Sequence, residues 1–217
     1  MLTLLCAYYL NARTAAALTS VAEYKRAHGL TFVVVSTIVA ASLLPELFLV
    51  VFFQSGRFRA QNFRNLLFTA PLWGLDGITV DYLYRGLAAL LGDQPTFWTV
   101  LTKICIDQFG YNVLFAAPYG VIAYEWKNSG YSPATLRRCF SAACYRDKIV
   151  PTLLTTWGVW IPLMAMIYSL PLALQFPLFS LALTFWVLLL TYMTNQFAGK
   201  SSHGAVAPAD LATGAAR

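Results

Sequence analysis

The sequence predicts an all-α bundle that crosses a membrane about five times, four at minimum, on Pro-kinked helices, and three observations carry that fold class. Of the 217 residues, 59% are hydrophobic and 11% charged, and the mean hydropathy is +0.61. Soluble domains carry about 25% charged residues, so much of this chain's surface is suited to lipid. Apolar runs long enough to span are separated by short stretches rich in Arg and Lys. Prolines fall within or beside those runs, at Pro45, Pro71, Pro162, Pro171 and Pro177, where they bend or end helices. The length suits one compact bundle without a sizeable soluble domain.

Residues 1–29 read as one amphipathic helix at the membrane surface, with Leu5, Tyr8, Tyr9, Leu18, Val21 and Tyr24 available to the interface. No basic region precedes the apolar start, so a cleaved secretory signal is not expected. Arg13, Lys25 and Arg26, against Glu23 as the sole acid, leave an organellar presequence open.

Residues 30–198 form the transmembrane bundle. Its first run, 30–54, is interrupted by Pro45-Glu46, which predicts a kink with Glu46 facing inward. A loop from Gln54 to Arg64 follows. The second run, about 65–91, carries Pro71, Gly74, Asp76, Gly77, Asp81 and Arg85. Asp81 and Arg85 stand four apart, a favourable helical pair, whereas Asp76 has no local partner. Gly74 and Gly77, like Ala116 and Gly120 later, permit close helix contact.

The third run starts near Pro95, with Asp93 or Thr96 to cap it, and ends near Glu125. It places Lys103, Asp107 and Gln108 among apolar residues. Asp107 falls about 18 Å into the helix, near the midplane of a bilayer, where a carboxylate costs on the order of 3 kcal/mol. Lys103, one turn earlier, is its nearest expected partner. Residues 126–148 read as a polar loop. The block 149–198 is a hairpin, with one helix to about Pro171 and another from about Phe176 to Asn195. Residues 199–217, rich in small residues, form a tail expected to be disordered. Five spans put the basic loops 55–65 and 126–148 and the tail on one face, as the positive-inside rule requires.

Several function classes fall away. The net charge of +6 comes from basic residues flanking the spans, without the aromatic-studded basic face that nucleic acid requires. Cys6, Cys105, Cys139 and Cys144, with His28 and His203, lack the spacing of a zinc site, so neither metal nor cofactor is expected. No nucleophile stands beside a histidine and no phosphate-binding glycine loop is present, so catalysis is not expected.

The polar intramembrane residues Lys103, Asp107, Gln108, Glu46, Asp76, Asp81 and Arg85 admit two readings. They line a water-filled path, or they hold helices together as buried polar contacts. Trp157, Trp160 and Trp186 read first as core or interfacial anchors.

The pattern of Lys103, Asp107, Gln108 and Gly110 resembles the Mpv-seventeen and peroxisomal membrane protein family. The likeness continues in Trp157-Gly-Val-Trp160-Ile-Pro162, Tyr168-Ser-Leu-Pro171, Trp186 and Tyr192-Met193-Thr194, and upstream in Pro71, Gly74 and Tyr84. It covers about residues 66–195 and, more weakly, 24–54, with His28 standing for an early histidine. Met164 and Ile167 replace the family's Gln and Asn in the tryptophan block. The resemblance implies a passive pore or channel-like protein for small solutes, in a mitochondrial inner, peroxisomal or plastid membrane and with a role in organelle homeostasis. The expected partners are the lipid bilayer and a homo-oligomer or larger membrane complex. The competing expectation is a non-conducting accessory subunit of such a complex.

Overall fold

The computed structural model describes the backbone of residues 1–204 and the side chains through Tyr192. Helix is the regular structure throughout the described residues. The chain opens with α1 (Leu2–Leu10) and α2 (Ala12–Ile38). Asn11 between them is extended, and its side-chain oxygen accepts the N–H groups of Arg13 and Thr14, which starts α2. The single helix predicted over 1–29 is therefore two. Gly29, at φ +52°, bends α2 where the surface helix was predicted to give way to the bundle, a conformation that suits glycine.

A π-helical segment (Val39–Leu43) leads into α3 (Leu44–Phe53), and α4 follows (Ala60–Leu91). The third rod consists of α5 (Phe97–Cys105), a second π segment (Ile106–Ala116) and α6 (Ala117–Asn128). The short helices α7 (Pro133–Cys139) and α8 (Ala142–Cys144) occupy the stretch predicted as a loop. A third π segment (Tyr145–Ile149) feeds α9 (Val150–Tyr168), and α10 (Leu172–Gly204) completes the hairpin. Because α4 begins at Ala60, Asn62 and Arg64 are helical, not loop. The last helix also continues past residue 199, where the tail was predicted to begin; residues 205–217 lie outside the described residues.

Each π segment ends two residues before a proline: Leu43 before Pro45, Ala116 before Pro118, Ile149 before Pro151. Proline has no N–H to donate, and its ring crowds the carbonyl four residues back. A turn that bonds i→i+5 shifts that carbonyl and absorbs the misfit. The kink predicted at Pro45 takes this form. Pro71, Pro162 and Pro177 lie instead inside continuous α-helix.

Among the described residues, three stretches are long and apolar enough to cross a membrane: Ala12–Phe53, Ala142–Tyr168 and Leu172–Tyr192. With 32 residues, α4 is about 48 Å long, enough to span, but Asp76, Asp81 and Arg85 lower its hydropathy. Lys103 and Asp107 do the same for the α5–α6 rod. Of these charges, all but the exposed Arg85 point inward. Lys25, Glu46, Asp76, Asp81, Lys103 and Asp107 are all buried, while Leu90, Phe97, Trp98, Leu114, Phe185 and Leu189 are exposed. That distribution is inverted relative to a soluble protein.

The core joins α2, α4, α9 and α10 through Val33, Val80, Tyr84, Leu87, Ile167 and Phe176. Helices α2 and α4 meet at Gly77, where an added Cβ would lie 3.0 Å from the Thr37 Cβ and closer still to its hydroxyl. The N-terminal helices cap one end of this core rather than standing apart. The Tyr9 hydroxyl donates to the Ser169 carbonyl at the α9–α10 turn (2.6 Å), and Leu5, Tyr8 and Leu18 pack against the core.

Candidate functional site

A cavity of about 1000 Å³ lies among α4, the α5–α6 rod, α9 and α10. Its lining runs from the partly exposed ion pair of Lys148 and Glu125 to a buried floor of Tyr84, Asp107, Met164 and Phe179. Trp73, Trp160 and Trp186 supply aromatic wall, and Asp76, Asp107, Gln108 and Asn112 supply most of its deep polar groups.

The second π segment sets the floor. It turns Asp107 toward α9, where the Tyr168 hydroxyl donates to its Oδ2 at 2.7 Å. Tyr168 in turn meets Tyr84 edge-on, with ring centroids 5.4 Å apart, and Tyr84 donates to the Met164 sulfur at 3.5 Å. The carbonyls of Gln108 and Val113, both in the π segment, accept from the Trp157 indole (3.1 Å) and the Tyr145 hydroxyl (2.9 Å). The Gln108 side chain accepts from Asn112 (3.3 Å) on its own rod.

Lys103 does not pair with Asp107. It is buried, and among the described residues no carboxylate comes within ion-pair distance of it. The predicted four-residue pairing fails because a π turn begins at Ile106, so residues four apart no longer stack, and because Tyr168 occupies the carboxylate. Lys103 is also absent from the cavity wall.

Asp81 and Arg85 pair as predicted, at 2.6 Å, but the fully buried Asp81 takes a second cation. Lys25 of α2 reaches its other oxygen at 2.7 Å, with the ammonium 5.1 Å from the centre of the Phe176 ring. This cluster does not line the cavity. Nor does Glu46, whose carboxylate accepts from Asn62 (2.7 Å) while the Asn62 oxygen accepts the Arg59 N–H (2.8 Å) at the start of α4. Thr96 caps α5, and Asp93 instead accepts the Leu172 N–H at the start of α10.

Asp76 is in a different position. It is 8% exposed and lines the cavity, yet its carboxylate has neither hydrogen bond nor ion pair among the described residues. The nearby tyrosine hydroxyls of Tyr84, Tyr111 and Tyr119 are engaged elsewhere. Tyr84 donates to Met164, and Tyr119 to the Leu72 carbonyl at 2.9 Å. Thr79 gives its proton to the Asp76 carbonyl, so in the 2.7 Å bond between Thr79 and Tyr111 the tyrosine is the donor.

Of the seven predicted polar residues, the fold thus brings Asp76, Asp107 and Gln108 to one cavity and puts Lys103, Glu46, Asp81 and Arg85 elsewhere. Trp160 and Trp186 line the cavity too; Trp157 fastens α9 to the π segment, Pro162 lies within α9, and the Pro171 carbonyl accepts the first turn of α10. Lys25, Asn62 and Tyr111 were missed. Lys25 carried no distinguishing signal, since Glu23, Arg26 and His28 surround it in the sequence. Among the described residues no group of three or more His, Cys, Asp or Glu could hold a metal ion. In comparisons with known proteins, the chain matches no family model, no curated protein and no solved structure.

Proposed function

We propose that this chain is an integral membrane protein of five spans whose central cavity passes small solutes passively across an organellar membrane. The observation that carries the reading is the cavity of about 1000 Å³ with Asp76, Asp107 and Gln108 on its wall, inside a bundle whose outer surface is apolar. Ionisable side chains within membrane-spanning helices, facing a cavity, are the residues that line solute paths. Adding α4 and the α5–α6 rod to the three most apolar stretches gives the five spans, with the basic loops on one face. The organellar assignment, in a mitochondrial inner, peroxisomal or plastid membrane, rests on the resemblance to the Mpv-seventeen family.

Planar-bilayer recording of the purified chain tests the pore. Asp76→Asn and Asp107→Asn are expected to reduce cation selectivity, whereas Lys103→Gln, away from the cavity wall, leaves it unchanged. Absence of conductance in the wild type, or selectivity that neither aspartate variant alters, overturns the proposal. Cysteine-accessibility mapping should find 55–65 and 126–148 on the same face; opposite faces would eliminate the five-span arrangement.

One observation favours the second reading, a non-conducting subunit of a larger membrane complex. The cavity stops at Tyr84, Asp107, Met164 and Phe179, and the neighbouring Ile167, Tyr168, Leu170 and Phe176 are almost wholly buried and do not line it. Native gels in mild detergent separate the readings: a monomer or small homo-oligomer supports the pore, and co-migration with a large assembly supports the subunit.

A further inference from the structure

We propose that the cavity is a binding site for an amphipathic amine, whose protonated nitrogen is held by the Asp76 carboxylate and whose apolar body lies against the aromatic wall. This goes beyond the pore reading and stands whether or not the chain conducts.

The argument starts from an incomplete set of contacts. A buried carboxylate without a partner is costly, and proteins pair such groups almost without exception. Glu46 has Asn62, Asp81 has Lys25 and Arg85, and Asp107 has Tyr168. Asp76, 8% exposed and on the cavity wall, has none among the described residues, and the tyrosines Tyr84, Tyr111 and Tyr119 donate elsewhere. Their hydroxyls are committed to Met164, Thr79 and Leu72, leaving the carboxylate facing the cavity with its acceptor capacity unused. The missing donor therefore comes from within the cavity.

The surroundings select its chemistry. Asp76 and Asp107 on the same wall disfavour an anion. A metal cation needs several oxygen ligands, and no cluster of three suitable side chains exists among the described residues. A protonated amine needs one good acceptor and gains from aromatic faces, which Tyr84, Tyr111 and Trp73 provide. The remaining wall, with Trp160, Trp186 and Leu183, suits an apolar body, and the volume exceeds what a single small ion would fill.

The test uses the full chain in lipid nanodiscs, with 2-(2-naphthyl)ethylammonium as probe and 2-naphthylethanol and 2-naphthylacetate as neutral and anionic counterparts. Isothermal titration, with empty nanodiscs subtracted for partitioning, should give saturable binding of the ammonium at least about tenfold tighter than the alcohol, and no saturable binding of the acetate. Asp76→Asn should bring the ammonium to the level of the alcohol while leaving the free protein at least as thermally stable, because it removes an unpartnered charge. Equal binding of all three probes, or an ammonium preference that survives Asp76→Asn, overturns the proposal. Competition by sodium or potassium that disappears in Asp76→Asn, without probe selectivity, would give the carboxylate to a metal cation and also overturns it. Gly120→Trp provides an independent check, since a side chain at Gly120 meets open space and lines the cavity. It should weaken the ammonium; unaltered affinity places the probe outside the cavity and refutes the site.

Discussion

At the scale of single residues, the carboxylates differ by what answers them. Asp107 is held by Tyr168, so the coupling that matters runs between helices and not along one. A double-mutant cycle between Asp107→Asn and Tyr168→Phe should return about 1.5–3 kcal/mol, measured by thermal or denaturant stability in detergent. The cycle between Asp107→Asn and Lys103→Met should return less than about 0.5 kcal/mol. Asp81 offers a second contrast. Lys25→Met removes a buried cation and should cost about 3 kcal/mol. Arg85→Ala removes one whose side chain is 48% exposed, and should cost about 1 kcal/mol or less. The sequence made the Asp81–Arg85 pair legible because four residues apart is one helical turn. It concealed Lys25, which meets Asp81 only through packing of α2 on α4, and it suggested Lys103 for Asp107 because it contained no sign of a change in helical pitch.

The elements show the same division between local rules and packing. Hydropathy and proline placement located α4, the α5–α6 rod and α9 to within about five residues, but missed the break at Asn11 and the run of α2 through residue 29, and ended α10 too early. The π segments were not legible, since their apolar pattern does not differ enough from that of an α-helix over so few turns. Yet they decide the site: the Ile106–Ala116 segment aims Asp107 at Tyr168 and offers two carbonyls to side chains of the next rods. Glycines sort by surroundings in a way their spacing does not reveal. Gly77→Ala drives a methyl group into Thr37 and should destabilise the protein by about 1–3 kcal/mol. Gly120→Ala meets nothing within 4 Å and should stay within about 0.5 kcal/mol of wild type. Thermal denaturation of the two variants, side by side, checks the α2–α4 contact against an open wall.

For the whole molecule, the ruling fact is that the long helices bury charged side chains and expose large apolar ones, while the remaining charges lie mostly on exposed ends and connections. Composition alone pointed to helices apolar enough to span a membrane, but which polar residues share a cavity required the packing of four helices. Placement in a bilayer makes a measurable difference between tryptophans. Trp98 is 73% exposed at the start of α5, whereas Trp160 faces the cavity. In single-tryptophan variants, lipids brominated near the headgroup should quench Trp98 strongly and Trp160 weakly. Equal quenching of both would mean that lipid fills the cavity or that α5 does not begin at the interface.

The bond between Lys25 and Asp81 also bears on biogenesis. Helix α4, with Asp76 and Asp81 in its interior, is a poor segment to enter lipid alone. Helix α2 carries the lysine that pairs with Asp81, so the two segments can enter together as a neutralised pair. A chain that begins at residue 30 would lack that escort, and its fourth helix should stall at the membrane rather than enter it.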